Sequence, residues 1–173
     1  MARPVKLAKP MLFGAVCAFI FTASPSMALA GEFRVLYSFE QKGINGWPAQ
    51  SPLLMDAAGK FYGTTYEGGE HRAGTVYEVT AGGTETALHA FRAKKDGGFS
   101  ASGLIADQAG NLYGMTQVGD GTGCDNVGCG TVFELSTGGS FTVLHAFNGT
   151  TDGGRPQAAL IGDKAGNLYG TTV

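Results

Sequence analysis

Charge is scarce in this 173-residue sequence: Asp, Glu, Lys and Arg together make up 15%, and tryptophan occurs once. The most apolar stretch, Met11–Ala23, holds thirteen residues, short of the ~20 that a helix needs to cross the hydrocarbon core of a bilayer. No Gly-rich loop opens a helix or precedes a Lys-Ser or Lys-Thr pair, so a phosphate cradle is excluded. Basic residues gather nowhere beyond Lys94-Lys95. Nucleic acid, whose phosphates demand a basic patch, is therefore excluded as a partner, and no face is built for an anionic membrane. Three histidines, His71, His89 and His145, and three cysteines are too few and too far apart for a zinc spacing. No Ser, His and Asp set carries a nucleophile-elbow motif.

What is present begins with a leader. Arg3, Lys6 and Lys9 precede the apolar run, Ser24-Pro25-Ser26 interrupts it, and Ala28-Leu29-Ala30 offers small residues before Gly31. That three-part pattern predicts a helical secretory signal peptide over 1–30, cleaved between Ala30 and Gly31, with no transmembrane segment left after cleavage. Without the leader, nine basic residues face fourteen acidic ones, a net charge of −5. The destination expected is the periplasm, the cell surface or the extracellular space.

Internal repetition carries most of the remaining information. Gly59-Lys60-Phe61-Tyr62-Gly63-Thr64-Thr65 returns as Gly110-Asn111-Leu112-Tyr113-Gly114-Met115-Thr116 and as Gly166-Asn167-Leu168-Tyr169-Gly170-Thr171-Thr172. Each copy follows an Asp by three residues: Asp56, Asp107 and Asp163. Leu36-Tyr37-Ser38-Phe39, Leu88-His89-Ala90-Phe91 and Leu144-His145-Ala146-Phe147 form a second anchor, and Gly74-Thr75-Val76-Tyr77-Glu78 and Gly130-Thr131-Val132-Phe133-Glu134 a third. Tyr62 to Tyr113 is 51 residues and Tyr113 to Tyr169 is 56, the excess of five falling inside 119–128. The units run approximately 33–83, 84–139 and 140–173, the last cut short, within a repeat region 31–173.

Each full unit reads as four short strands separated by turn chemistry, placed in the second unit near 102–106, 111–116, 130–136 and 140–147. Asp107-Gln108-Ala109-Gly110 fits a type I turn closed by a Gly of positive φ, and Thr137-Gly138-Gly139 links the next pair. The expected fold is all-β: about two and a half four-stranded, propeller-like blades, unclosed, since propellers close with four to eight. Further repeats or other copies would be needed to complete a ring. A longer parent chain or a truncated gene is favoured over self-assembly, because terminal repeats usually carry atypical capping residues.

These motifs resemble those of the GloVer-type (choice-of-anchor) bacterial tandem-repeat proteins, whose units read like DxxGNLYGTT, GTVFxL and LHxF with a DGxxP-like segment between. The resemblance covers about 33–173, with Asp152-Gly153-Gly154-Arg155-Pro156 as its clearest DGxxP-like copy, and Asp96-Gly97-Gly98 and Asn45-Gly46-Trp47-Pro48 as looser ones. It implies an exported, surface-associated or extracellular, propeller-like protein with no assigned activity.

Candidate chemistry is thin. Cys124 and Cys129 bracket the inserted loop, and export favours a disulfide over free thiols or a metal site. Val143, His145 and Phe147 share one face under strand alternation, as do Ala87, His89 and Phe91, so the histidines are expected among packed aromatics. Asp56, Asp107 and Asp163 are assigned to their turns, since one carboxylate per loop falls short of the six to eight oxygens calcium takes. Glu78 and Glu134, in successive blades, stand too far apart to pair as acid and base. No metal and no cofactor is expected. Tyr62, Tyr113 and Tyr169, one per unit, are the candidate ligand surface, for a glycan or another cell-surface component; filling space between blades is the alternative. Asn148-Gly149-Thr150 matches a glycosylation sequon. The function expected is a non-catalytic exported module for surface binding or assembly. A polysaccharide hydrolase or lyase of propeller type, or a non-functional truncated copy, stands as the alternative.

Overall fold

A computed structural model describes residues 34–39, 46–120 and 123–173. The signal peptide and its Ala30–Gly31 cleavage point lie outside the described residues. Residues 36–173 belong to one unit, and its elements arise from the repeat. In the first unit, β1 (Leu54–Met55), β2 (Phe61–Thr64), β3 (Thr75–Val79) and β4 (Glu85–Ala90) form one antiparallel sheet in the order β1-β2-β3-β4. In the second, β5 (Ile105–Ala106), β6 (Leu112–Thr116), β7 (Thr131–Leu135) and β8 (Phe141–Ala146) form another in the order β5-β6-β7-β8. The third unit contributes β9 (Ile161–Gly162) paired with β10 (Leu168–Tyr169). The fold is thus all-β, with two four-stranded meanders, a two-stranded sheet and no closed barrel among the described residues. The sheets occupy 54–90, 105–146 and 161–169, so strand four of each sheet follows the Gly-rich turn at which the repeat boundaries 83 and 139 were drawn.

Turn chemistry sets the hairpins. Gly110 donates its N–H to the Asp107 carbonyl at 3.1 Å with φ +86°, a left-handed conformation that glycine adopts without a Cβ clash. The equivalent turns at Asp56 and Asp163 repeat it. Close approach explains the glycine two strands deep: Gly114 lies opposite Phe133 in the ladder, and a Cβ there would sit 2.7 Å from Phe133 Cζ. Gly63 stands in the same relation to Tyr77.

One correction concerns strand alternation. The β3/β4 register shifts between Val76 and Tyr77, and β7/β8 shifts between Val132 and Phe133, leaving Leu88 and Leu144 as extra residues opposite their partners. Such a bulge bends the strand and redirects a side chain. Leu144 and His145, adjacent in sequence, consequently line the same groove, which strict alternation forbids.

The core lies between the two four-stranded sheets. Phe91 and Phe133 are both fully buried, with ring centroids 5.4 Å apart, and Val76, Leu104, Leu112 and Leu135 pack around them. Burying each such side chain contributes roughly 1.5–3 kcal/mol. Hydroxyls enter this interior as pairs: Thr65 and Thr75 hydrogen-bond at 2.9 Å, Thr116 and Thr131 at 2.7 Å, satisfying groups that would otherwise oppose burial. Among the described residues, no helix is long and apolar enough to cross a membrane.

Candidate functional site

The three candidate tyrosines occupy one structural position, and each is tied to the Asp that builds its hairpin. In the first unit, Asp56 Oδ1 accepts hydrogen bonds from the Ala58 and Lys60 backbone N–H groups, both at 2.9 Å, while Oδ2 accepts from Tyr62 Oη at 3.0 Å. Asp107 repeats the pattern with Ala109 and Asn111 N–H, and Tyr113 Oη donates to it at 3.1 Å. Asp163 does so again with Ala165, Asn167 and Tyr169, the last at 3.0 Å. In the second and third units the Asn side chain also donates to Oδ2, at 2.9 and 2.8 Å; in the first, Lys60 turns instead to Glu78 at 3.1 Å. The aspartates are thus turn residues, as their sequence suggested, and anchors for the tyrosines as well.

These bonds set the protonation of both partners. Hydrogen bonding from the Lys60 amide, with Tyr62 and Ala58, lowers Asp56 below its ordinary range. At Asp107 partial desolvation pushes upward but is outweighed by Asn111, Tyr113 and Ala109. The Asn167 side chain and amide carry Asp163 down to about 2. Burial, then the Asp56 carboxylate, raises Tyr62 to about 12, and burial, then the Asp107 carboxylate, raises Tyr113. Both phenols are therefore neutral donors at physiological pH.

A carboxylate stands across the ladder from each of the first two tyrosines: Tyr62 pairs with Glu78 and Tyr113 with Glu134. The pairs open into repeat-equivalent grooves. One, of about 260 Å³, is lined by Lys60, Tyr62, Glu78 and Leu88 and is narrowed by Leu135 and Thr137. Its counterpart, of about 920 Å³, is lined by Asp107, Tyr113, Glu134, Leu144, Asp163 and Leu168. Tyr169 is half exposed beyond them. Within a unit, the Asp, Tyr and Glu gather into one site, and the larger groove also takes in Asp163, the turn aspartate of the third unit. No group of three or more His, Cys, Asp or Glu that could hold a metal ion occurs among the described residues.

The same repeat is recognised by a family model. The model described as the Gloeobacter/Verrucomicrobia repeat matches residues 17–173. The chain belongs to this repeat family. The match begins sixteen residues before the first unit read from the sequence. No curated protein matches the chain.

Two further features of this Gloeobacter/Verrucomicrobia repeat chain complete the picture. Cys124 and Cys129 form a disulfide, with Cα atoms 5.2 Å apart. The loop between them turns through three successive left-handed residues, Cys124, Asp125 and Asn126. Asn and Asp tolerate that region better than most residues. Cys129 is fully buried, and its carbonyl accepts from the Arg155 amide, so the bridge fastens the insertion to the Asp152-Gly153-Gly154 segment. The second feature escaped sequence reading: the two repeat-equivalent histidines, His89 and His145, each face the Asp of a DGxxP-like segment. Asp96 Oδ1 accepts from the Arg92 amide at 2.7 Å and its Oδ2 lies 3.4 Å from His89 Nε2, too poorly aligned for a hydrogen bond. Asp152 accepts from the Asn148 amide at 2.9 Å and meets His145 Nε2 at 3.0 Å. Burial holds His89 below its ordinary value against the opposing pull of Asp96. A constant seven-residue spacing, His89 to Asp96 and His145 to Asp152, was the available signal.

Proposed function

We propose that this repeat chain is an exported, non-catalytic module that binds a glycan or glycan-bearing component of a cell surface along its tyrosine ladder. The observation that carries the reading is the Asp–Tyr hydrogen bond made three times at 3.0–3.1 Å, which gives every unit an aromatic ring fixed beside carboxylates. A fixed ring offers an apolar face for a sugar's C–H surface, and Glu134 offers an acceptor for its hydroxyls. The larger groove, about 920 Å³, lies within the ~300–1,000 Å³ typical of small-ligand sites. The leader pattern before Gly31 supports export.

A glycan array probed beside a hydrolase and lyase panel tests both halves. Binding to a defined glycan class, abolished in Tyr113→Ala and weakened in Tyr113→Phe at unchanged melting temperature, is the expected result. Turnover abolished by a single Asp or Glu substitution overturns the non-catalytic reading; an array without hits overturns the glycan.

A further inference from the structure

The turn that follows β8 carries a reactive pair of residues. Asn148-Gly149 is one of two Asn-Gly pairs in the chain, Asn45-Gly46 being the other. An asparagine deamidates when the backbone nitrogen of the next residue attacks its side-chain carbonyl carbon, and glycine, with no Cβ, hinders that attack least. Residues 148–150 are all exposed to water. In the folded chain, however, both reacting groups are engaged. Gly149 N–H donates to the Gly153 carbonyl at 3.0 Å. Asn148 Oδ1 accepts from the Thr150 N–H and hydroxyl, both at 2.8 Å, and from the Thr151 N–H at 3.0 Å, while Nδ2 donates to Thr151 Oγ1 at 2.8 Å. The carboxamide is thereby held on residues 150 and 151, and the nitrogen it would have to meet is held on residue 153.

The Cys124–Cys129 bridge forms the wall behind this turn. A Cβ on Gly149 would collide with both Sγ atoms, and one on Gly123, next to the bridge, would stand 2.8 Å from Cys129 Sγ and 3.0 Å from the Asn148 carbonyl oxygen. The first unit has the same turn without the wall. Ala93, with φ +49° against +77° at Gly149, pairs with Gly97 as Gly149 pairs with Gly153, and Arg92 stands where Asn148 does. There the turn accommodates a Cβ and carries no asparagine. The bridged insertion and the Asn-Gly turn thus meet in one copy of the repeat, and their contact is what requires the glycine.

We infer that Asn148 is a deamidation site that the Cys124–Cys129 bridge keeps closed, so that reduction of the bridge by a dithiol commits the chain to a change of charge at this turn. The dithiol passes two electrons and two protons to the sulfurs and becomes a disulfide itself, leaving Cys124 and Cys129 as thiols. With the wall loosened, the Gly149 nitrogen loses its proton to hydroxide and attacks Asn148 Cγ. The N–Cγ bond forms, the Cγ–Nδ2 bond breaks, and ammonia leaves with a proton from water. Water then opens the resulting succinimide to aspartate or isoaspartate. Either product removes the donor to Thr151 and sets a second carboxylate beside Asp152, the partner of His145. The chemistry is independent of any glycan bound at the tyrosines.

The test incubates the full oxidised chain, the same chain kept reduced with a dithiol, and a synthetic peptide of residues 144–156 at mildly alkaline pH. Peptide mapping follows each and separates Asn148 from Asn45. Each hydrogen bond that must break slows ring closure by up to about tenfold, so the oxidised chain should deamidate at Asn148 at least about tenfold more slowly than the peptide. Reduction should recover most of that difference. Cys124→Ser with Cys129→Ser, held well below its melting temperature, should match the reduced chain. An oxidised chain as fast as the peptide overturns the inference, and so do reduced and serine chains as slow as the oxidised one. A rise confined to temperatures at which the serine chain melts overturns it too, since that would report global unfolding and not the loss of the wall.

Discussion

The junction between the two four-stranded sheets and the junction on the far side of the second sheet use the same residue positions, yet among the described residues only the first is covered. Phe91 is fully buried and Leu112 nearly so, while their equivalents Phe147 and Leu168 are half-buried and Leu144 is 45% exposed. Identical local chemistry therefore contributes unequally to stability. An apolar side chain stabilises in proportion to the area that something else removes from water, and that something is supplied by residues fifty positions away.

Substitution of the central ring tests this difference most strongly. Phe133→Ala should cost about 3–5 kcal/mol in urea unfolding, as expected for a buried aromatic leaving a cavity, and Phe147→Ala should cost less than half as much. Equal losses would break the comparison. Gly114→Ala comes next, at roughly 1–3 kcal/mol of overpacking, because its Cβ would press on the Phe133 ring. At Gly170 the same change meets only the ends of Leu160 and Met115, at 3.0 and 3.2 Å, and should be milder. The disulfide sharpens the comparison from the open side, since it braces only the second unit's insertion. Cys124→Ser with Cys129→Ser should lower stability by about 2 kcal/mol or less, the loop-entropy value for so short a ring, measured against the oxidised chain.

Acid provides the smallest and most selective probe. His89 titrates below its ordinary value in the folded chain, so the unfolded chain binds the proton more readily. Its contribution is complete above about pH 6.5 and declines as pH falls below that value. His89→Tyr, which installs the residue found at Tyr37, should remove this first decline from a pH series of melting temperatures. A second decline should begin near pH 4 and continue toward pH 2, as the lowered carboxylates of Asp56, Asp107 and Asp163 are protonated and their turn and tyrosine bonds weaken. Asp163, at about 2, should be the last of them to titrate.

Much of the architecture was legible in the repeat. The strands expected near 111–116 and 130–136 are β6 and β7 to within one residue at each end, because Gly turns and apolar alternation are local signals. The Asp-x-x-Gly turns were legible for the same reason. The Tyr–Asp bond was not read, although Asp and Tyr stand six apart in all three copies. That spacing acquires meaning only when a two-residue strand pairing folds the tyrosine back over its own turn. The bulges at Leu88 and Leu144 were illegible, since alternation counts one residue per position and an extra residue shows only against its partner strand.

The sequence by itself determined what recurs: the hairpin, the glycine beneath each aromatic, and the tyrosine with its aspartate, all held by contacts across one turn or one strand pair. Tertiary structure decided what differs between copies: that His89 lies under Phe141 while the His145 side chain is 49% exposed, and that one groove measures about 260 Å³ and its counterpart about 920 Å³. Burial is a property of the facing surface, and no repeat encodes its own cover.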